Sequence, residues 1–464
     1  MAQHPRRSGP RSRILSLLTG LVLALPAGAL VANPVSAATL AVPGGFADIQ
    51  SALDAAASGD TISVAPGEYV GNLNFQGKNV RLQSSGGPAA TTVRVLGGTA
   101  VTIGPGGAVV GFTVTGARDS FGAGMAVSGG GTLVQGNIFD GNTESGGGFG
   151  AAIGGNNASP TIDRNVFRNN TCDGQFLAGV VSFVNTSSPL ITNNLFAHNP
   201  CRAVNLTLPE GSAPRVLNNT MVDNRTGVRV DGRIPTSGQS FRNNLIVGNQ
   251  IGLEVEFGSP TNNPTWDHND VFGNGVDFSG IAAQTGRAGN ISADPGFIDP
   301  ATDDYHLTPG SAAVDSGGAL NAPTVDLDGA ARPADGNGDG VAGFDLGAYE
   351  LAGSARSVQL RVAPRMISLG ATASARVTVL SAAGFNAPQQ VIRSSLRFGR
   401  TGTEQSLQGC NAPIDVNADG RPDLVCRYRV KATGLRVGDT RATLAAQTFT
   451  GGPIGGVRAI TVVP

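Results

Sequence analysis

The chain has 464 residues, enough for two or three domains, and its 32 Lys and Arg balance 33 Asp and Glu to a net charge of −1. No basic block or stripe interrupts that balance, which excludes an electrostatic nucleic-acid binder. With 68 glycines and only 5% aromatic residues, the composition suits frequent tight turns and a small cross-section.

Residues 1–37 read as a secretory signal. Arg6, Arg7, Arg11 and Arg13 give a positive start, 14–32 is apolar, and Val35-Ser36-Ala37 is a small-residue cleavage site. Pro26 and several glycines in the apolar run argue against an anchor, and no later segment is long and apolar enough to span a bilayer. The expected location is therefore extracellular, in the medium or at the cell surface.

Next, 46–57 (FADIQSALDAAA) places Ile49, Leu53, Ala56 and Ala57 on one helical face. A single short helix before many strands makes sense as a lid over an open first coil. Short strands follow at Thr61–Val64, 79–82, Val101–Ile103 and 112–114.

From 134 to 274 one phrase, apolar-x-x-Asn-x-apolar-x-x-Asn, returns six times. Its first asparagines are Asn137, Asn165, Asn194, Asn219, Asn244 and Asn269, spaced by 28, 29, 25, 25 and 25. Its second asparagines are Asn142, Asn170, Asn199, Asn224, Asn249 and Asn274. Such a period marks a solenoid, in which each repeat buries its apolar face only against the next. No window shows sustained helical spacing, so the repeat unit is a coil of short strands: a parallel β-helix. Asparagine suits the turns through its tolerance of left-handed backbone, and stacked amides would bond along the axis. A second short strand follows several copies as Gly-apolar-x-apolar at 124–127, 150–153, 227–230 and 252–255. Trp266 falls in the inward register of Ile162 and Phe241 and belongs to the core.

Cys172 and Cys201 each stand two residues past a second asparagine, hence in adjacent coils roughly 4.8 Å apart, within reach of a disulfide. Cys410 and Cys426 bracket an acidic loop and suggest a second bridge, as export permits. Residues 355–464 lack the repeat; alternating runs at 358–362, 375–380, 423–430 and 457–463 indicate an antiparallel β-sandwich.

The opening segment, with its helix, Gly59-Asp60, Pro66-Gly67-Glu68-Tyr69 and Gly77-Lys78-Asn79, resembles the entry of secreted pectin-lyase-like right-handed β-helix proteins. That resemblance, with the general hand of parallel crossovers, implies a right-handed coil. DPGFIDP at 294–300, DYHLTPGS at 304–311, DLDG at 326–329, Arg332-Pro333 and DLGAYE at 345–350 resemble the terminal region of the choice-of-anchor Q group. This segment is expected to close the last coil, with Asp315, Asp326, Asp328 and Asp345 orienting its turns or sharing a cation. DVNADGRPDL at 415–424 and TGLRVGDT at 433–440 resemble a β module found at the end of many secreted bacterial proteins. The expected fold is all-β: a signal at 1–37, a right-handed parallel β-helix with a capping helix at 38–353 (terminal region 294–350), and a small β-sandwich at 354–464.

Two places could carry chemistry. Asp415, Asn417, Asp419 and Asp423 stand at positions 1, 3, 5 and 9, with Gly420 for the sharp turn and the Arg421 carbonyl between, a hard-oxygen set that fits structural Ca²⁺. Position 12 is Cys426, so this is not an EF-hand, and a plain Asx-rich turn is the alternative. Asp335, Asn337, Asp339 and Asp345 are a weaker echo, with Gly343 at position 9.

The other place is the outer side of the Gly-apolar-x-apolar strand. With Val228 and Val230 inward, Arg229 and Asp231 point out, followed one coil on by Glu254 and Glu256 and then by Asp277 and Ser279; Asn205 and Thr207 precede them. Carboxylates one rung apart, roughly 5 Å, approach the spacing of retaining glycosidases. Alternatively they could hold Ca²⁺ against a uronate while Arg229 removes a proton. The plain reading is a solvated ladder of Arg–Glu pairs. Glycine-rich stretches at 116–123 and 143–148, and the 209–213 connection, could wall this face as loops. No nucleophile elbow, Cys/His pair or phosphate loop accompanies these residues. The favoured expectation is non-catalytic binding of extracellular polysaccharide or cell-surface glycan; the alternative is a polysaccharide lyase or glycoside hydrolase acting on acidic glycans through Arg229, Asp231, Glu254, Glu256 and Asp277.

Overall fold

The computed structural model describes residues 37–464 apart from 174–177, 233–237, 258–263, 340, 354–355, 370–373 and 450–452. The signal segment, except Ala37, lies outside the described residues. No described helix is long and apolar enough to cross a membrane.

Among the described residues, short parallel strands stack into nine coils, counted by the nine-stranded sheet that forms one side. Each complete coil contributes to a first face (as at Leu190–Thr192), a second (Leu195–Ala197) and a third (Arg202–Thr207). Strands pair only with their counterparts one coil above and below: Phe167 opposite Phe196, Phe196 opposite Met221, Met221 opposite Ile246. This vertical register stacks like on like. Ring centroids of Phe139, Phe167 and Phe196 lie 5.1 and 4.6 Å apart, and Trp266 stacks on Phe241 at 4.3 Å, buried as expected.

Both asparagine files occur. Asn194 shows the unit: its Oδ1 accepts from Asn165 N at 2.9 Å and Asn165 Nδ2 at 3.0 Å. Its Nδ2 donates to Asn219 Oδ1 at 2.9 Å and to the carbonyls of Ile162 and Thr192. Both lone pairs and both N–H groups are used, so the polar turn is buried without loss. The first file runs on from Asn269 to Asn290, a rung outside the six-fold phrase. The second ends at Asp277, whose Oδ1 accepts from Asn274 Nδ2 at 2.9 Å.

One detail differs from expectation. The left-handed residue is the one before each rung, not the asparagine itself: Asn193, Asn218, Asn243 and His268 have φ of 53°, 52°, 55° and 51°. Asn, Gly and Asp recur there because they accept that backbone at least cost.

The capping helix spans Ile49–Ala55 and starts at Asp48, whose Oδ1 accepts from Ser51 N at 2.7 Å. Ile49, Ala52 and Leu53 enter the core, and the Gln50 amide bonds both Asn74 N (2.8 Å) and Asn74 O (3.2 Å). A side chain thus occupies the open edge of the third face as a further strand would.

The segment 294–351 corrects a second expectation. Asn290 and Ile291 form a partial rung under the last coil. The segment itself runs back along the outside of the second face. Tyr305, Ala348 and Tyr349 pack on Leu195 and Ala197, while Leu307, Val314 and Leu346 pack on Leu245. The amides of Asn193, Asn218 and Asn243 donate to Val325 O, Asp345 O and Gly318 O. Arg332 pairs with Glu350 at 3.1 Å in a fully buried contact and donates to the carbonyls of Asp345 and Gly347. Asp326 and Asp345 bind backbone N–H groups and so orient turns, as does Asp315, which receives Asn337 N at 2.9 Å. Asp328 instead faces His306.

Residues 356–463 form two four-stranded sheets around a core that includes Val377, Phe398, Tyr428 and Leu444. Pairing is mainly antiparallel, with parallel contacts at Arg356–Ser357 and Met366–Ser368. Both expected disulfides form: Cys172–Cys201 joins adjacent coils with Cα atoms 5.7 Å apart, and Cys410–Cys426 joins directly opposed strand residues.

Replacing Asn219 by Ala strands the donors of Asn194 and an acceptor of Asn244. We expect a loss of about 3 kcal/mol of stability in urea unfolding, against less than about 0.5 kcal/mol for Asn411→Ala on the exposed surface.

Candidate functional site

The outer side of the third face is built by the period-2 alternation of its strands. Val228 and Val230 are buried inside, and Arg229 and Asp231 project outward. Register places Asn205, Arg229, Glu254 and Ser279 in one file and sets Asp231 opposite Glu256. Asp277 is out of this register: Asn274 follows Asn249 by 25 residues and Ser279 lies under Glu254 at the same offset, so Gly275 stands under Gln250 rather than Gly252, and Asp277 falls under Gly252. Asp277 closes the asparagine file instead, which removes it from the candidate catalytic set.

The remaining charges are not a solvated ladder. Arg229 is 2% exposed and Asp231 1%, whereas the Glu254 and Glu256 side chains keep 17% and 20%. Arg229 donates to Thr207 Oγ1 at 2.7 Å and Asn205 Oδ1 at 3.4 Å, pairs with Glu256, and lies 4.0 Å from Asp231. Arg202 lies 3.5 Å from Glu254. Burial lowers the Arg202 guanidinium from its ordinary range, Glu254 opposes that shift, and Arg229 adds to it. Sequence reasoning missed Arg202; its place straight after Cys201, where the third-face strand begins, was the available signal.

Chemically, each glutamate is fixed by a guanidinium, and Arg229 has donors committed on two sides. The exposed edges of Glu254 and Glu256 can still accept hydrogen bonds from hydroxyl groups.

The glycine-rich stretches expected as loops are strands. Arg118–Phe121, Thr143–Phe149 and Thr171–Cys172 form a three-stranded parallel sheet. It folds onto the third face through glycine: a Cβ on Gly154 would stand 2.6 Å from both Gly122 N and Phe149 O. Thr143 and Thr171 directly follow ladder asparagines and meet at 2.9 Å through their hydroxyls, a regularity that could have revealed this sheet. The 209–213 connection stays irregular.

In the second candidate, Asp415 accepts from Asp419 N at 3.2 Å and Gly420 N at 2.8 Å. Asn417 Nδ2 donates to Asp419 Oδ2 at 3.1 Å, and Arg421 Nη1 lies 3.5 Å from that oxygen. Asp423 is fully buried, its two oxygens receiving Ser381 N and Val416 N at 2.8 Å. Asp415, Asn417 and Asp419 therefore share one turn while Asp423 holds its base. Among the described residues no three His, Cys, Asp or Glu side chains converge on one point, so a cation would also need Asn417 and backbone oxygen. The weaker echo separates: Asp345 is buried in the Arg332–Glu350 contact, where burial pushes its carboxyl up to about 6, while Asp335, Asn337 and Asp339 cap their own exposed turn.

Residues 163–294 match the family model described as "Right handed beta helix region". The solenoid is a right-handed parallel β-helix. Among solved structures the chain is similar to "Crystal structure of pectate lyase Pel9A", with 15% identity, a TM-score of 0.35, and coverage of 68% of this chain and 97% of that one. No curated protein matches the chain.

Removing Glu256 takes away the nearest carboxylate of buried Arg229 and leaves Asp231, 4.0 Å away, beside it. Glu256→Ala should cost about 2 kcal/mol in chemical unfolding, and Glu256→Gln, which keeps an acceptor, should cost less than half of that. An alanine variant as stable as the parent would mean that solvent, not Glu256, holds Arg229.

Proposed function

We propose that the protein is exported and binds an extracellular polysaccharide along the outer side of its third face without cleaving it. The observation that carries this reading is the pairing at that face: Arg229 with Glu256 and Arg202 with Glu254, with Arg229 almost wholly buried. A site whose charges are spent on one another offers hydrogen-bond acceptors at its rim but no poised base or nucleophile. The two disulfides and the basic-then-apolar opening support export.

The test incubates the full mature chain with a panel of acidic and neutral polysaccharides. Retention is followed by affinity electrophoresis, and cleavage by unsaturated products and new reducing ends. The expected result is retention by at least one polysaccharide, weakened by Glu254→Gln, with no products. Products abolished by Glu254→Gln would replace binding with a lyase or hydrolase on acidic glycans. Neither retention nor products across the panel would overturn both.

We also propose that Asp415, Asn417, Asp419, Asp423 and the Arg421 carbonyl hold a structural Ca²⁺. The donor chemistry supports this, since each is a hard oxygen and three sit on one exposed turn. Saturating Ca²⁺ should raise the melting temperature of the C-terminal transition by roughly 5 °C over chelator-treated protein, and Asp415→Ala or Asp419→Ala should abolish the shift. An unchanged melting temperature leaves the loop as an Asx turn.

A further inference from the structure

Two of the four histidines in the chain, His198 and His306, stand where the segment 294–351 meets the β-helix flank. Each imidazole lies between two carboxylates. His198, just before ladder residue Asn199, contacts Asp223 through Nδ1 at 2.7 Å and Asp303 through Nε2 at 2.8 Å, with the Tyr305 hydroxyl at 3.1 Å from Nε2. Asp223 belongs to the coil below and Asp303 to the segment, so this bridge crosses the seam. His306 contacts Asp304 through Nδ1 at 2.6 Å and Asp328 through Nε2 at 2.8 Å, and its ring lies on Tyr349 at 4.0 Å. That bridge ties the strand Asp304–Leu307 to the turn at Asp328 over Tyr349, the aromatic residue that packs on Leu195 and Ala197.

A neutral imidazole has one N–H and one bare lone pair. Between two carboxylates it can satisfy only one side, and on the other a lone pair faces a negative oxygen. The imidazolium satisfies both. Nearby cations do not substitute: Arg164, whose Nη1 lies 3.9 Å from the position of a Cβ on Gly329, is itself paired with Asp163 at 3.0 Å.

We propose that the two Asp–His–Asp bridges form a proton-operated clasp that holds segment 294–351 on the second face and loosens as the imidazoles lose their protons. Asp223, Asp303 and Tyr305 surround the first imidazole; Asp304, Asp328 and Tyr349 surround the second. The hydrogen bond from Asp223 raises His198 above its ordinary value despite burial; burial lowers His306, and Asp328 and Asp304 more than offset that. Groups raised on folding stabilise the closed form below the ordinary imidazole pKa, roughly 6.5, and that contribution is lost as pH rises through the raised values. Buried Asp345 and Glu350 in the same segment work in the same direction, since burial pushes them up to about 6 and about 7 and their ionisation across that range weakens the closed form. Loosening uncovers the apolar outer positions Leu195, Ala197 and Leu245.

The test is hydrogen–deuterium exchange of the full chain at pH 5.5 and pH 8.5, corrected for intrinsic exchange rates. Amides in 294–351 are expected to lose about tenfold or more of their protection at the higher pH, while the ladder strands between 190 and 256 keep theirs. The double variant His198→Gln, His306→Gln should show the loosened pattern already at pH 5.5 and a much smaller pH difference. If that variant folds poorly, Asp303→Asn with Asp328→Asn removes the carboxylates and keeps the rings. Imidazole NMR, with only four histidines to resolve, should then show two resonances returning to ordinary titration. Equal protection at both pH values, loss in the ladder strands as well, or two unshifted histidines in the parent protein would each overturn the clasp.

Discussion

Everything in the solenoid depends on burying a polar turn at every corner of a narrow column. A coil of three short strands must reverse direction repeatedly, and each reversal leaves backbone groups without strand partners. The asparagine files meet this need with one residue type. Each interior amide spends two donors and two acceptors inside the column, partly on the next amide and partly on carbonyls such as Ile162 O and Phe167 O. Hydrogen bonds of this kind add little net stability singly, but leaving one unmade in the core is costly. The spacing of the repeats is therefore far more constrained than their other residues, which vary among Phe, Met, Ile and Val at the core position.

That constraint explains why the column could be read before it was seen. Stacked amides need one register, so the asparagines recur in the chain with a visible period, and the phenyl and aliphatic residues between them follow. The readable features are those repeated coil by coil. Features that occur once were harder. The strands at Thr143–Phe149 and Arg118–Phe121 have a glycine-rich composition that reads as loop, and their pairing depends on close backbone approach at Gly122 and Gly154. The path of 294–351 depends on outward apolar residues of the second face, Leu195, Ala197 and Leu245, which a scan for alternating inward residues passes over. The slip at Asp277 has a smaller cause: Gly275 stands under Gln250, so matching it to Gly252 moves the strand two residues out of register.

The candidate site shows the limit of reasoning from placement alone. The sequence put Arg229, Asp231, Glu254 and Glu256 on one outer face, and they are there. What decides their chemistry is burial and pairing, and neither is encoded in spacing. Arg202, brought in from the coil carrying the disulfide at Cys201, sets a second guanidinium beside Glu254. The flank opposite is organised by the left-handed residues before each rung, whose amides at Asn193, Asn218 and Asn243 both accommodate the turn and grip the terminal segment.

The carboxylate at the foot of the second file has a consequence for length. The bonds from one amide to the next in that file all run toward the C-terminal end, starting from the backbone N–H of Ala117 and finishing on Asp277, while each Nδ2 also donates back to a carbonyl of the coil before it. The file thus has a head that supplies protons and a tail that only receives them, like a sentence with a capital and a full stop. Whole coils can be inserted or lost between those two marks without rewriting either. A coil added beyond Asp277 would meet an acceptor with nothing to donate onward, so the second file can lengthen within the column but not past its foot.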